Sequence, residues 1–128
     1  MDITLAITGA SGAIYARRTL ELLVASGRVE TINLIISSTA EIVAKVELGA
    51  DIKSADGAKI NAWLGLDAAS KMIRIWRLDN FAAKPSSGSY LQAGMIIVPC
   101  SMGTLGAIAS GAGRRSFGIS EYPLAGLY

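Results

Sequence analysis

The run Ile7-Thr8-Gly9-Ala10-Ser11-Gly12-Ala13-Ile14-Tyr15 decides the fold of this chain. Before it, Ile3, Leu5 and Ile7 make residues 2–8 a short, β-branched-rich strand bounded by Gly9. After it, residues 12–26 take up helical spacing until Gly27 stops them. A strand, a tight Gly/Ser turn and a helix start together form a ready anion site. Free backbone N–H groups and the positive end of the helix dipole point at the same place. Tyr15 stands where a dinucleotide-binding loop carries its third glycine, so which phosphate this turn suits is an open question.

Working outward, residues 30–37 read as a second strand, and Thr39 to Leu48 as a short helix ended by Gly49. In the first helix Ile14, Leu20, Leu22, Leu23 and Val24 supply the apolar side, with Arg17, Arg18 and Glu21 toward solvent. Such a β-α-β-α opening with short connections favours a parallel sheet with right-handed crossovers. A weak helical pattern follows around Ile60–Leu66, then a strand at Met72–Trp76 and a hydroxyl-rich loop over 79–90. Met95–Pro99 is an almost purely apolar run, the pattern of a central strand buried on both faces. Cys100 to Thr104 reads as the turn after it, and Leu105–Ser110 as the start of another helix. From Arg114 helical periodicity is lost. The division expected is an α/β domain over 1–113 and a divergent C-terminal tail over 114–128.

Composition narrows the function classes. The chain has 128 residues, 52% of them hydrophobic and 14 of them glycine, which suits one tightly packed α/β domain whose turns approach a ligand closely. A net charge of +2 is too mild to draw nucleic acid or a membrane surface. No apolar stretch approaches the length of a membrane span. The single cysteine fits a reducing, cytoplasmic setting, and no basic region precedes the first apolar run, so no signal peptide is expected. Histidine is absent altogether. That removes the commonest general base, His-ligated metals and Ser-His nucleophile pairs.

Three turns follow parallel strands and should meet at the carboxyl edge of the sheet: Gly9–Gly12, Ser37-Ser38-Thr39 and Cys100–Thr104. They are rich in hydroxyls and small residues, and none contains a carboxylate. Glu41 and Asp79 are the acids nearest in sequence and read most simply as surface residues. Hydroxyls and backbone N–H groups can hold a phosphate without adding charge. The same residues also cap helices, which is the plainer reading of any one turn alone. Thr8-Gly9-Ala10-Ser11-Gly12 is like the opening of a short-chain dehydrogenase loop, but Tyr15 replaces the packing glycine. The second strand also ends in serines rather than the acid an NAD ribose needs, and a Tyr-x-x-x-Lys pair is missing. A mononucleotide such as FMN fits better than NAD. Cys100 reads as a small buried thiol, and Trp76 serves equally as core or as a stacking surface.

Gly9-Ala10-Ser11-Gly12-Ala13-Ile14-Tyr15, Ser86-Ser87-Gly88-Ser89-Tyr90 and Pro99-Cys100-Ser101-Met102-Gly103-Thr104-Leu105, in this order and spacing, resemble the UbiX-type flavin prenyltransferases over residues 1–113. The resemblance implies a Rossmann- or flavodoxin-like parallel sheet with helices on both faces. It matches Gly9, Ala10 and Ser11 to a first FMN-phosphate turn, Ser37 to the serine ending the second strand, and Ser101, Met102, Gly103 and Thr104 to a third FMN segment. Ser87, Gly88, Ser89 and Tyr90 match a loop beside the flavin and the prenyl substrate. It further implies metal-free joining of FMN to dimethylallyl monophosphate at flavin N5 and C6, a homo-oligomer, and a UbiD-type decarboxylase as user of the prenylated flavin. The family's Asn-Leu-x-x-Arg-Ala-Ala-Asp continuation and later Arg, Glu and Tyr are not found; Arg114-Arg115-Ser116-Phe117 stands in that place. Without that acid the flavin proton lacks its obvious acceptor. Two alternatives accompany the prenyltransferase reading: a catalytically incomplete FMN-binding module, and an NAD-binding protein like the short-chain dehydrogenases.

Overall fold

A computed structural model describes residues 1–52, 57–67, 69–76 and 91–110. Its elements are β1 (Asp2–Ile7), α1 (Ala13–Ala25), β2 (Thr31–Ile36), α2 (Ser38–Leu48), α3 (Gly57–Trp63), β3 (Ile73–Trp76), β4 (Gly94–Ile97) and α4 (Met102–Ser110). The four strands pair in the order β3-β2-β1-β4, all parallel. The predicted α/β class and parallel sheet are therefore what the chain forms.

Register explains which residues make the core. Ile3, Leu5 and Ile7 of β1 lie opposite Ile32, Leu34 and Ile36 of β2. Ile73 and Ile75 of β3 continue two of these rows, and Ile96 of β4 lies beside Leu5. Because side chains alternate across a strand, all of these share one face. They join one cluster with Ala13, Ala16 and Leu20 of α1 and with Ala40 and Ala44 of α2. The alanines bring both helices close to the sheet and to each other. The opposite face is more polar: Thr4 lies between Asn33 and Met95, and Asn33 lies beside Arg74. The buried groups there are satisfied, since Thr4 Oγ1 donates to Gln92 Oε1 and Trp76 Nε1 donates to Asn33 Oδ1 at 2.8 Å. Trp76 thus has a structural partner in the neighbouring strand.

Several boundaries and faces differ from expectation. Among the described residues β4 pairs with β1, and its four residues are half-buried. β2 is the strand buried along its whole length. Gly94 starts β4, and the strand ends at Ile97, ahead of the cis Val98–Pro99 peptide. The weak helix lies earlier than Ile60–Leu66, at Gly57–Trp63, with Gly65 at φ 70° just beyond it. In α1, Ile14 and Leu22 are exposed rather than core. Arg17 does not simply face solvent: its guanidinium lies 5.7 Å from the Trp63 ring centre and its Nε is 3.1 Å from Glu21 Oε1. The arginine stem covers apolar surface while its head keeps its ion pair. The tail over 114–128 lies outside the described residues.

This orientation of α1 is testable by truncation. Leu20 is fully buried and Leu22 is 55% exposed. Leu20→Ala should cost about 2–5 kcal/mol in urea unfolding, and Leu22→Ala no more than about 0.5 kcal/mol.

Candidate functional site

The three predicted turns do meet, and backbone and side-chain bonds fix how. Ser37 N–H donates to the Ile7 carbonyl at 3.0 Å, tying the end of β2 to the end of β1. Thr8 ties β1 to the segment after β4: its N–H and Oγ1 both donate to the Pro99 carbonyl, at 3.2 and 2.7 Å. The same Oγ1 accepts from Ser101 N–H at 2.7 Å. Thr8 is 1% exposed, so its hydroxyl is a buried joint between two loops. The chain leaves β1 in one direction across the sheet and reaches β4 on the other side, so this edge is a topological switch point, where open α/β sheets bind ligands.

Thr8, Gly9, Ser37, Thr39, Ser101, Gly103 and Thr104 line a cavity of about 370 Å³ at this edge, a size in the range of small-molecule sites. Among the described residues its lining carries no charged side chain. Two helices begin in it. Ser37 caps α2, its Oγ accepting from Ala40 N–H at 3.0 Å. Ser101 caps α4, its Oγ accepting from Thr104 N–H at 3.2 Å and lying 2.8 Å from Thr104 Oγ1. Met102, Gly103 and Thr104 therefore form the first turn of α4 rather than a loop, because this cap and the Leu105 N–H to Ser101 C=O bond at 2.9 Å start the helix early. A capping oxygen uses a lone pair, and the hydroxyl proton remains to be donated. Gly9 is required by space: a Cβ there would come within 2.3 Å of Thr39 Cγ2 and 2.5 Å of Thr39 Cβ.

The first turn behaves differently from the expected phosphate cradle. Glu47, near the end of α2, reaches across to the start of α1. Its carboxylate accepts from Ser11 Oγ at 2.6 Å, from Gly12 N–H at 3.0 Å and from Ala13 N–H at 2.9 Å. Gly12, at φ 115°, supplies no side-chain cap, so Glu47 takes that role from 34–36 residues away. The Ser11 hydroxyl and the Ala13 and Gly12 amides hold the Glu47 carboxyl below the ordinary glutamate value, against burial, which acts the other way. The three turns carry no carboxylate of their own; folding brings Glu47 to the first of them. Glu41 makes only the backbone bond Glu41 N–H to Ser37 C=O among the bonds described for it. Asp79 and the Ser87, Gly88, Ser89 and Tyr90 loop lie outside the described residues.

Of the remaining candidates, Gly9, Ser37, Ser101, Gly103 and Thr104 line the cavity, whereas Ser11 is turned to Glu47 and Met102 is 79% exposed. Ala10 lies between the two arrangements and is half-buried. Thr39, the last residue of the second predicted turn, also lines the cavity, as does Thr8, which stands just before the first. Tyr15 is 68% exposed, with its ring over Gly12. Cys100 is a free, half-buried thiol. Among the described residues there is no cluster of three potential metal ligands and no helix long and apolar enough to cross a membrane.

An open parallel sheet with a small, hydroxyl-lined, uncharged cavity at its switch point defines the class of α/β nucleotide-binding proteins. The protein-family model described as Flavoprotein matches residues 1–115. The chain belongs to the flavoprotein family. It is 40% identical to the flavin prenyltransferase UbiX of Pseudomonas aeruginosa, over 86% of this chain and 52% of that one. It is 41% identical to the flavin prenyltransferase UbiX of Methanocaldococcus jannaschii, over 87% and 52%. Among solved structures, the crystal structure of AnUbiX (PadA1) in complex with FMN and dimethylallyl pyrophosphate aligns with a TM-score of 0.63 and 32% identity, over 87% of this chain and 51% of that one. A dodecameric FMN-dependent UbiX-like decarboxylase from Escherichia coli O157:H7 aligns at TM-score 0.72 and 26% identity, over 97% and 60%. The chain spans about half the length of the curated relatives it matches. None of these similarities favours the dehydrogenase alternative.

The Glu47 cap makes a prediction with a definite sign. A carboxyl whose pKa is lowered by folding stabilises the native state above the unfolded value, and that contribution is lost as pH falls through the folded value. Wild-type protein should therefore lose stability on acidification through and below the usual glutamate range. In Glu47→Gln that part of the acid limb should flatten, as read by urea midpoints across a pH series.

Proposed function

We propose that this chain is the FMN-binding part of a flavin prenyltransferase that joins FMN to dimethylallyl monophosphate. The observation that carries the reading is the switch-point cavity, where the N-termini of α2 and α4 and the hydroxyls of Ser37, Thr39, Ser101 and Thr104 converge with no charged side chain. The relatives bearing that activity in their names, and the FMN-bound structure, support it. The residues fit the cofactor: the space at Gly9 that a Cβ would close against Thr39 lets the backbone pass beside a bound phosphate. The lining donates hydrogen bonds and dipole ends, which is what a phosphate oxygen accepts.

When bound in its reduced form, FMN would supply the nucleophilic ring positions that take the allyl carbon as inorganic phosphate leaves it. The protein's part is to hold, orient and manage protons. Ser37 and Thr39 at the start of α2, and Ser101 and Thr104 at the start of α4, hold the phosphate by O–H and N–H donation. Gly9, Ala10 and the Ser101–Thr104 turn form the walls that orient the attached ribityl chain. Forming a carbon–carbon bond at an aromatic ring position releases a proton. Glu47, through the 2.6 Å bond from Ser11 Oγ, is the carboxylate placed at these turns to receive it. Ser87, Gly88, Ser89 and Tyr90 are proposed to flank the prenyl substrate. An assembly of several copies, cytoplasmic residence and a UbiD-type decarboxylase as consumer of the product complete the reading. The dodecameric neighbour supports self-association. A second reading is an FMN-binding module without turnover, which the same cavity would serve equally.

Anaerobic incubation of the purified chain with dithionite-reduced FMN and dimethylallyl monophosphate separates the two. A flavin heavier by the prenyl group, seen by mass and absorbance, supports the enzyme; bound but unchanged FMN supports the module. Failure to retain FMN overturns both. Ser37→Ala and Ser101→Ala should each weaken FMN binding about tenfold or more, the cost of one hydrogen bond to a charged group.

A further inference from the structure

We infer that Thr8 is a positioning residue for the phosphate end of the cofactor, its hydroxyl acting through Ser101 on the N-terminus of α4. The inference rests on the FMN reading and adds to it the side chain that keeps one of the two phosphate-holding helix ends in place. The two capping serines are located by consecutive residues at the end of β1. Ser37 N–H donates to the Ile7 carbonyl at 3.0 Å, a backbone bond that does not depend on the side chain at position 7. Ser101 N–H donates to Thr8 Oγ1 at 2.7 Å, a bond that exists only because position 8 carries a hydroxyl. The start of α2 is thus fixed by the chain itself, and the start of α4 by one side chain.

Thr8 lines the cavity, yet its hydroxyl is committed elsewhere. The proton goes to the Pro99 carbonyl at 2.7 Å and a lone pair takes the Ser101 N–H, in a residue only 1% exposed. Without the hydroxyl the Pro99 carbonyl still has the Thr8 N–H at 3.2 Å, so the loss falls on Ser101. A buried N–H stripped of its acceptor is costly, and the backbone shifts to find it another. Ser101 is also the residue on which α4 starts: its Oγ accepts from Thr104 N–H and its carbonyl from Leu105 N–H. A rotation of Ser101 therefore carries the helix start with it. The first N–H groups of a helix have no partner inside it, and here they open beside Gly103 and Thr104 of the cavity lining. Hydrogen bonds to an anion are short-ranged, so a misplacement of about 1 Å weakens them sharply. The effect is confined to what the start of α4 holds, which in the FMN reading is the phosphate.

The test compares FMN with riboflavin, which has the same ring and ribityl chain and no phosphate. Dissociation constants are measured by flavin fluorescence for the full chain as wild type, Thr8→Val and Thr8→Ser. Valine keeps the branched shape and removes the hydroxyl; serine keeps the hydroxyl and removes the methyl. Wild type should bind FMN more tightly than riboflavin. In Thr8→Val the dissociation constant for FMN should rise about tenfold or more and that for riboflavin stay within about twofold, while Thr8→Ser keeps the preference for FMN. Amide exchange supplies an internal control. Thr104 and Leu105 N–H, bonded to Ser101, should exchange faster in Thr8→Val; Ala40 and Glu41 N–H, bonded to Ser37 in the same way, should not. A merely structural role would speed both pairs and weaken both flavins alike. That result overturns the inference, as does a folded Thr8→Val protein that keeps its preference for FMN. If Thr8→Val does not fold, Thr8→Ser decides: a retained preference supports the hydroxyl and a lost one overturns it. A wild type that binds riboflavin as well as FMN overturns the FMN reading and the inference together, whereas an unchanged Thr8→Val beside an FMN-preferring wild type overturns the inference alone.

Discussion

The site depends on one buried hydroxyl. Thr8 Oγ1 donates to the Pro99 carbonyl and accepts the Ser101 N–H, so a single side chain fixes the segment after β4 against the end of β1. Backbone bonds carry the pairing past Ile97, Val98 N–H to Ala6 C=O at 2.9 Å and Thr8 N–H to Pro99 C=O at 3.2 Å, and the Thr8 hydroxyl adds the tie that reaches Ser101. Because Ser101 also caps α4, the Thr8 joint sets the position of that helix's N-terminus relative to Gly9 and Ser37. At 1% exposure, removing the hydroxyl would strand a buried N–H, which makes threonine here a requirement rather than a preference.

Three helices start at this edge, and the fold treats them in two ways. α2 and α4 begin with serines, each of which accepts one N–H and leaves its helix end otherwise open toward the cavity. α1 begins with a glycine in left-handed geometry, which cannot cap itself, and a glutamate from another helix closes it. The difference follows from chemistry. A hydroxyl cap is neutral and keeps a proton to offer, whereas a carboxylate cap is an anion and only accepts. Two donor ends and one filled end thus stand around a single cavity.

Much of this was legible because it is local. The β-α-β-α opening follows from residues within a few positions of one another: Gly9 ending a strand, Gly49 in left-handed geometry ending a helix, alternation at Ile3, Leu5 and Ile7. The convergence of Gly9, Ser37 and Ser101 was also readable, since parallel strands must end on one edge. What failed was non-local. Glu47 gave no signal in its own stretch of sequence. It lies in a helix pattern with exposed Val46 beside it, and only the packing of α1 on α2 brings it to Ser11. Ser101 was recognised as a candidate, yet its capping role was not used to start α4 three residues sooner.

Among the described residues the cavity lining carries no cation, which bears on how a phosphate can be held there. A lysine or arginine in the lining would draw a second phosphate nearly as strongly as the first, because a full charge acts over several ångströms. Helix ends and hydroxyls act within about one turn and one bond length, so they hold one phosphate in one place. In the proposed reading the Glu47 carboxylate, which Ser11, Ala13 and Gly12 hold below the ordinary glutamate value, stands at the neighbouring turn as the group to take up a proton. Neutral donors at the cavity and one carboxylate at the start of α1 are therefore parts of one arrangement.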